Sequence, residues 1–255
     1  MYQIKYFWRL FVFYWENLKA YPIRFVTNFF WLFFGFVPQF FLWYVISKSS
    51  SNLPYTLTEI ILYFLFVWGL YYNIGYLNKH FRLISTGEVT TSIIKPISLT
   101  NMYFYHFFAD IVVGRLTNMI VVIIIGIIML GIGNTLLGIL FFIMGLVIGC
   151  MFYVIMFFTM FWLRNNWGLK FSIDMLSMFC SGLWIPLDLL PKFWFNIVSY
   201  LPFKLIFFYP TKIFLGQLEI TFWIILQYII WFIVLYTIAR ILEYFGLKGY
   251  EQLGG

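Results

Sequence analysis

Six stretches of the chain stay apolar for about the 20 residues that a helix needs to cross a bilayer. They run over 25–46, 60–77, 111–132, 136–163, 169–187 and 221–241. The fourth is long enough to tilt or to project from the bilayer. The pattern predicts an all-α integral membrane protein with six transmembrane helices. There is no long-period repeat, low-complexity tract or linker, so residues 1–255 read as one membrane domain.

Three stretches break the pattern. Residues 1–22 mix aromatic side chains with Lys5, Arg9, Glu16 and Lys19, which suits a helix lying in the membrane interface. Pro22 separates it from the first span. It has no cleavable signal pattern, so the first span is expected to act as its own insertion signal. Leu187–Gly216 is cut by Pro191, Pro202 and Pro210 into pieces too short to span, yet is too apolar for a free loop. It predicts short re-entrant helices in the outer leaflet, buried against protein. The third is "TGEVTTSIIKPIS", Thr86 to Ser98. Ser85 to Glu88 reads S-x-x-E, a helix start. Val89, Ile93 and Ile97 recur at about four residues, and Pro96 ends the element beside Lys95. This predicts a helix of one or two turns with an apolar stripe. It either docks on something outside the membrane or tucks under the bundle as a surface helix.

Composition agrees with the spans. The chain is 64% hydrophobic and only 10% charged, whereas soluble domains carry about 25% charged residues. There are too few charges to clothe a soluble surface. The 25% of aromatic residues suits many interfacial crossings. The net charge of +7 follows the ends of the apolar runs, and no basic cluster is dense enough for nucleic acid. It reads as topology and contact with anionic lipid. With a cytoplasmic N-terminus, that side holds Lys5, Arg9, Lys19, Arg24, Lys79, Arg82, Lys95, Arg115, Arg164, Lys170, Arg240 and Lys248, against Lys48, Lys192, Lys204 and Lys212 outside. Both termini and the Thr86–Ser98 stretch are therefore expected in the cytoplasm.

Chemistry is sparse. The sequence has no GxxxxGK[ST] phosphate loop, no HExxH and no CxxC. His80 and His106 have no carboxylate or thiol at ligand spacing and read as interfacial packing. Cys150 and Cys180 lie in apolar runs and read as small packing residues. No catalytic, cofactor or metal residue is expected. Thr56 to Glu59 fits a capping box before the second span. Gly145 and Gly149 form GxxxG, which favours close approach of helices. Asp110 and Arg115 flank the expected start of the third span, each meeting another helix or the headgroups. Lys170 and Asp174, four apart, read as an interfacial pair. Asn73, Asn118 and Gln227 lie deeper, where they either line a polar path or bond across helices.

The sequence resembles the membrane subunits of the ABC-2 type exporters, in the branch of six-span permeases of this length. "STGEVTTSIIKPIS" followed by "DIVVGRLTN" is similar to that family's element between the second and third spans. "PLDLLPKFWFNIVSYLPFKLIFFYPTKIFLG" is similar to its proline-punctuated outer segment, and "GLKGYEQLGG" to its C-terminal tail. Order and spacing agree along nearly the whole chain. The resemblance implies a permease that pairs with a second copy or a related permease in a bacterial cytoplasmic membrane. It implies a separate ATP-binding subunit, which would hold the ATP and magnesium. The helix between spans two and three would dock into that subunit. Carried over, this is Gly87 to Pro96, with Glu88 and Lys95 as polar contacts and Val89 and Ile93 as the docking stripe. The interfacial helix, Lys5 to Lys19, would add a second contact. Apart from the resemblance, the depth of Asn73 and Asn118 makes them the paired candidates for a polar path.

Two other classes fit less well. An intramembrane enzyme needs clustered His, Glu or Asp at the membrane face, and the two histidines are separated. A membrane protein that only binds, such as an immunity protein, shares the composition but needs no coupling helix. Replacing Glu88 and Ile93 separates it from a transporter.

Overall fold

The structure, a computed structural model, describes residues 2–49, 54–71, 89–163 and 167–252. Among these the regular elements are all helical: α1 (Tyr2–Ala20), α2 (Ile23–Ser49), α3 (Leu57–Leu70), α4 (Thr90–Ile93), α5 (Leu99–Leu130), α6 (Ile132–Phe158), α7 (Trp167–Cys180), α8 (Lys192–Tyr200), α9 (Phe208–Phe214) and α10 (Phe222–Gln252). Short 3-10 turns cover Thr159–Phe161, Leu187–Leu189 and Pro202–Leu205. Among the described residues four helices, over Val26–Ser49, Leu99–Leu130, Ile132–Phe161 and Phe222–Gly249, are long and apolar enough to cross a membrane. The expected second and fifth spans correspond to shorter apolar helices, Leu57–Leu70 and Phe171–Cys180.

Local signals set several boundaries. α3 starts in the expected capping box: Thr56 Oγ1 accepts from the Glu59 amide at 3.3 Å, and Glu59 Oε2 accepts from the Thr56 amide at 2.7 Å. α5 begins at Leu99 rather than at 111, capped by Ser98. Asp110 and Arg115 therefore lie within the helix instead of flanking its start. Thirty-two residues at about 1.5 Å each make a rod of about 48 Å, longer than the roughly 30 Å hydrocarbon core. Its first turns carry polar side chains, which hid them from a search for apolar runs. α5 and α6 are joined by Gly131 alone, whose φ of 85° is left-handed and closes α5 through a bond to Ile127 O.

α6 is the centre of the bundle. In its apolar window 67% of residues are buried, against 18%, 28% and 22% for the other three long helices. Glycines let neighbours in. A Cβ at Gly138 would lie 2.5 Å from Phe214 Cβ, and one at Gly126 would lie 2.6 Å from the same ring. Phe214 of α9 is thus wedged between α5 and α6, with its ring 4.5 Å from that of Phe66. A Cβ at Gly145 would meet Leu205 O at 2.5 Å. Gly145 of the GxxxG pair therefore seats the backbone of the re-entrant segment rather than a neighbouring span.

That segment is the expected series of short pieces. Pro191 caps α8 and Pro202 opens a 3-10 turn. Pro210 does not divide it: it sits in the first turn of α9, where an amide has no helical partner to lose. Cys150 and Cys180 are buried free thiols.

Candidate functional site

The α4 turn lies beside α1, through Lys95 and Tyr6, and beside the first turns of α5, through Ser92 and Tyr103. Gly87 and Glu88 lie outside the described residues, as does the Ser85 cap. Val89 precedes the turn and is fully buried, and Ile97 is 8% exposed. Ser92 is also buried and accepts from the Tyr103 hydroxyl at 3.5 Å. Pro96 follows without an amide hydrogen, so the turn stops. Two apolar side chains face outward, Ile93 at 38% and Ile94 at 84% exposure. The expected stripe of Val89 and Ile93 is therefore divided. Val89 anchors the turn to the core, while Ile93 and the neighbouring Ile94 form its free surface. Lys95 is exposed, with Nζ 5.9 Å above the Tyr6 ring of α1.

The helix behind the turn is held by a residue that the sequence reading did not weigh. Glu243 of α10 is 6% exposed. Its carboxylate accepts from Leu99 N at 2.8 Å, Thr100 N at 3.3 Å and Thr100 Oγ1 at 2.7 Å. These amides belong to the first turn of α5, which has no intrahelical acceptor for them. A negative charge there also suits the helix dipole. Arg240, one turn earlier, balances Glu243 at 2.6 Å. Tyr236 donates to Asn101 Oδ1 at 3.1 Å. An acid near the end of an apolar helix was the available signal.

α1 joins the same junction. Leu10, Tyr14 and Leu18 pack on Ala109 and Val113 of α5. His106 is hydrogen-bonded through Nε2 to the Tyr6 hydroxyl at 2.9 Å and through Nδ1 to the Tyr14 hydroxyl at 3.1 Å. Burial raises the Tyr14 hydroxyl well above the ordinary phenol range, and the Asp110 charge adds to this. His106 is thus an interfacial clasp between α1 and α5. His80 lies outside the described residues.

Of the pathway residues, Asn73 lies outside the described residues. Asn118 is 2% exposed and donates to Asn28 O of α2 at 3.4 Å, while Asn28 Nδ2 donates to Gly114 O at 2.7 Å. Of the two readings open for Asn118, the geometry is that of a bond across helices. Gln227 Oε1 is a buried acceptor with no donor among the described residues. The side chain of Lys170 is outside the described set, so its pairing with Asp174 is too.

The protein carries a second polar cluster. Asp188 accepts from the Tyr55 hydroxyl at 2.7 and 2.8 Å and pairs with Lys212 at 2.6 Å. Lys212 donates to Gln217 Oε1 at 2.8 Å, and Gln217 Nε2 donates to Glu59 Oε1 at 2.6 Å. The capping box of α3 is thereby tied to the re-entrant segment. Charges inside the apolar 187–216 run were the available signal.

Residues 33–254 match the family described as ABC-2 family transporter protein, a range that takes in the α4 turn, Glu243 and the re-entrant segment. The chain belongs to the ABC-2 transporter family. It is a multi-pass membrane protein of transport. Comparison with curated proteins and with solved structures gives no match. Members of the ABC-2 family work in general with an ATP-binding partner.

Proposed function

We propose that this chain is the permease subunit of an ATP-driven ABC-2 exporter, forming half of the translocation path. It hydrolyses no ATP itself. The α4 turn is the coupling element, and Gly87, Glu88, Lys95 and Pro96 flank the contact made by Ile93 and Ile94. The supporting observation is the division of this turn into a buried anchor and an exposed apolar tip. Val89, Ser92 and Ile97 fix its base, so a push on Ile94 reaches the helix that Glu243 holds. ATP binding to the partner would then favour one packing of the permease over another. In this reading α3 and α7 complete six crossings, and both termini share the cytoplasm with α4 in a bacterial cell membrane. A second permease covers part of the exposed apolar surface, and the cargo is an amphipathic compound.

The test is capture of the tagged chain from native membranes in gentle detergent, with mass spectrometry of what accompanies it. A soluble protein with a phosphate-binding loop, near one copy per permease and lost in Ile94→Asp, is the expected result. Recovery of the chain with membrane partners alone, across several detergents, overturns the coupling role and favours a binding-only protein.

A further inference from the structure

Residues 187–216 hold one acid, Asp188, and three lysines, Lys192, Lys204 and Lys212. Lys212 shows how this segment satisfies an ammonium. Its Nζ lies 4.3 Å from the centroid of the Tyr55 ring and pairs with Asp188 at 2.6 Å. Lys204 has only the aromatic half of that arrangement. Its Nζ lies 4.9 Å from the centroid of the Tyr209 ring, and among the described residues it meets no carboxylate and no hydrogen-bond acceptor. The side chain is nonetheless only 7% exposed. The Nζ is not one of the sealed polar atoms, so the stem is buried and the head stays within reach of a ligand. α8 comes directly before this lysine. A single residue, Leu201, joins it to the turn Pro202–Leu205, and helix and turn pack together. Phe193, Ile197 and Tyr200, at offsets of 0, 4 and 7, share one face of α8. All three are exposed, as is Trp194 beside them.

Each observation narrows the occupant. A buried charge is costly until an opposite charge and hydrogen bonds meet it, so Lys204 calls for an anion. A free anion would leave the open face of α8 unused. A neutral amphiphile would cover that face and leave the ammonium unpaired, and a cationic one would be repelled. A zwitterionic headgroup brings its own cation to its phosphate. Exposed aromatic side chains of a membrane protein settle where headgroups meet acyl chains, and basic pockets between membrane helices suit anionic headgroups. We infer that Lys204 holds the phosphate of an anionic phospholipid, whose acyl chains lie along the open face of α8. Such a lipid would sit on the permease whatever it transports.

The experiment uses the full chain in phosphatidylcholine nanodiscs doped with dioleoyl phosphatidylglycerol, without any ATP-binding protein. Native mass spectrometry of the released chain counts the lipids it keeps. Saturable retention near one phosphatidylglycerol per chain is expected. Lys204→Met should weaken it by about tenfold, the equivalent of about 1.4 kcal/mol. In phosphatidylcholine alone the same variant should melt at or above the wild-type temperature, because it removes an unpaired buried charge. Lys192→Met, which takes an exposed lysine from the same segment, should leave retention unchanged. If Lys204→Met fails to fold, the exposed pair Phe193→Ser and Ile197→Ser decides, with retention expected to fall and melting to stay near wild type. Wild-type retention in the folded variants, equal loss in Lys192→Met, or displacement of the lipid by inorganic phosphate alone overturns the site. So does a Lys204→Met chain that keeps the lipid and loses self-association, which would give the ammonium to a carboxylate of a second copy. Because ATP and its subunit are absent, failure here leaves capture of the ATP-binding partner to stand or fall by itself.

Discussion

The Glu243 carboxylate accepts the Leu99 amide at 2.8 Å across 144 residues of sequence. The last helix thereby closes the first turn of α5, directly behind the α4 turn. Charge-assisted hydrogen bonds of this kind contribute about 1.5–3 kcal/mol. Glu243→Gln keeps one acceptor and replaces the other with a donor facing Thr100. Amide exchange at Leu99 and Thr100 should rise roughly tenfold or more, with the chain still inserted. Exchange rates equal to wild type would remove Glu243 from this role.

The two faces of α4 should separate in mutation. Val89→Ala removes buried methyls and should cost about 2 kcal/mol of stability while sparing partner capture. Ile94→Asp should leave the melting temperature near wild type and abolish capture. Melting of both variants beside their pull-downs checks the division.

Phe214 fills the gap that Gly126 and Gly138 leave. Phe214→Ala should destabilise the chain by about 3–5 kcal/mol. Gly138→Ala should also destabilise, by about 1–3 kcal/mol, since its Cβ would meet Phe214. Among the described residues nothing lies within 4 Å of a Cβ added at Gly114, so Gly114→Ala should be tolerated. Denaturant titration of the three variants orders them.

The far cluster predicts coupling between Asp188 and Lys212. Truncating each to Ala, singly and together, should give a non-additive stability term of about 0.5–3 kcal/mol. Burial and the Asp188 bond raise the Tyr55 hydroxyl above the usual phenol range, so Tyr55 stays a donor throughout the neutral pH range. Tyr55→Phe should therefore destabilise equally at pH 6 and pH 8. Additive truncations would make the ion pair a bystander.

Local grammar was legible in the sequence, and distant pairing was not. The Thr56–Glu59 box, the Pro191 and Pro202 breaks and the short element before Pro96 are each written within a few residues. The start of α5 was missed because Tyr103, Tyr105 and His106 interrupt the apolar run, although aromatic groups suit a helix emerging through the interface. Glu243 was missed because its partners lie 144 and 143 residues away. Asp188 and Tyr55 are separated by 133 residues. The division of α4 depends on which way one turn faces, and a spacing of four between Val89 and Ile93 says only that they share a side.

α5 runs unbroken for its 32 residues from the Glu243 clamp to Gly131. For a rigid rod of about 48 Å, a tilt of about 5° carries one tip about 4 Å relative to the other. No hinge lies along it to absorb the displacement. A small rotation imposed at the α4 end would therefore arrive at the Gly131 end as a shift of atomic dimensions, where α6 hangs from a single residue.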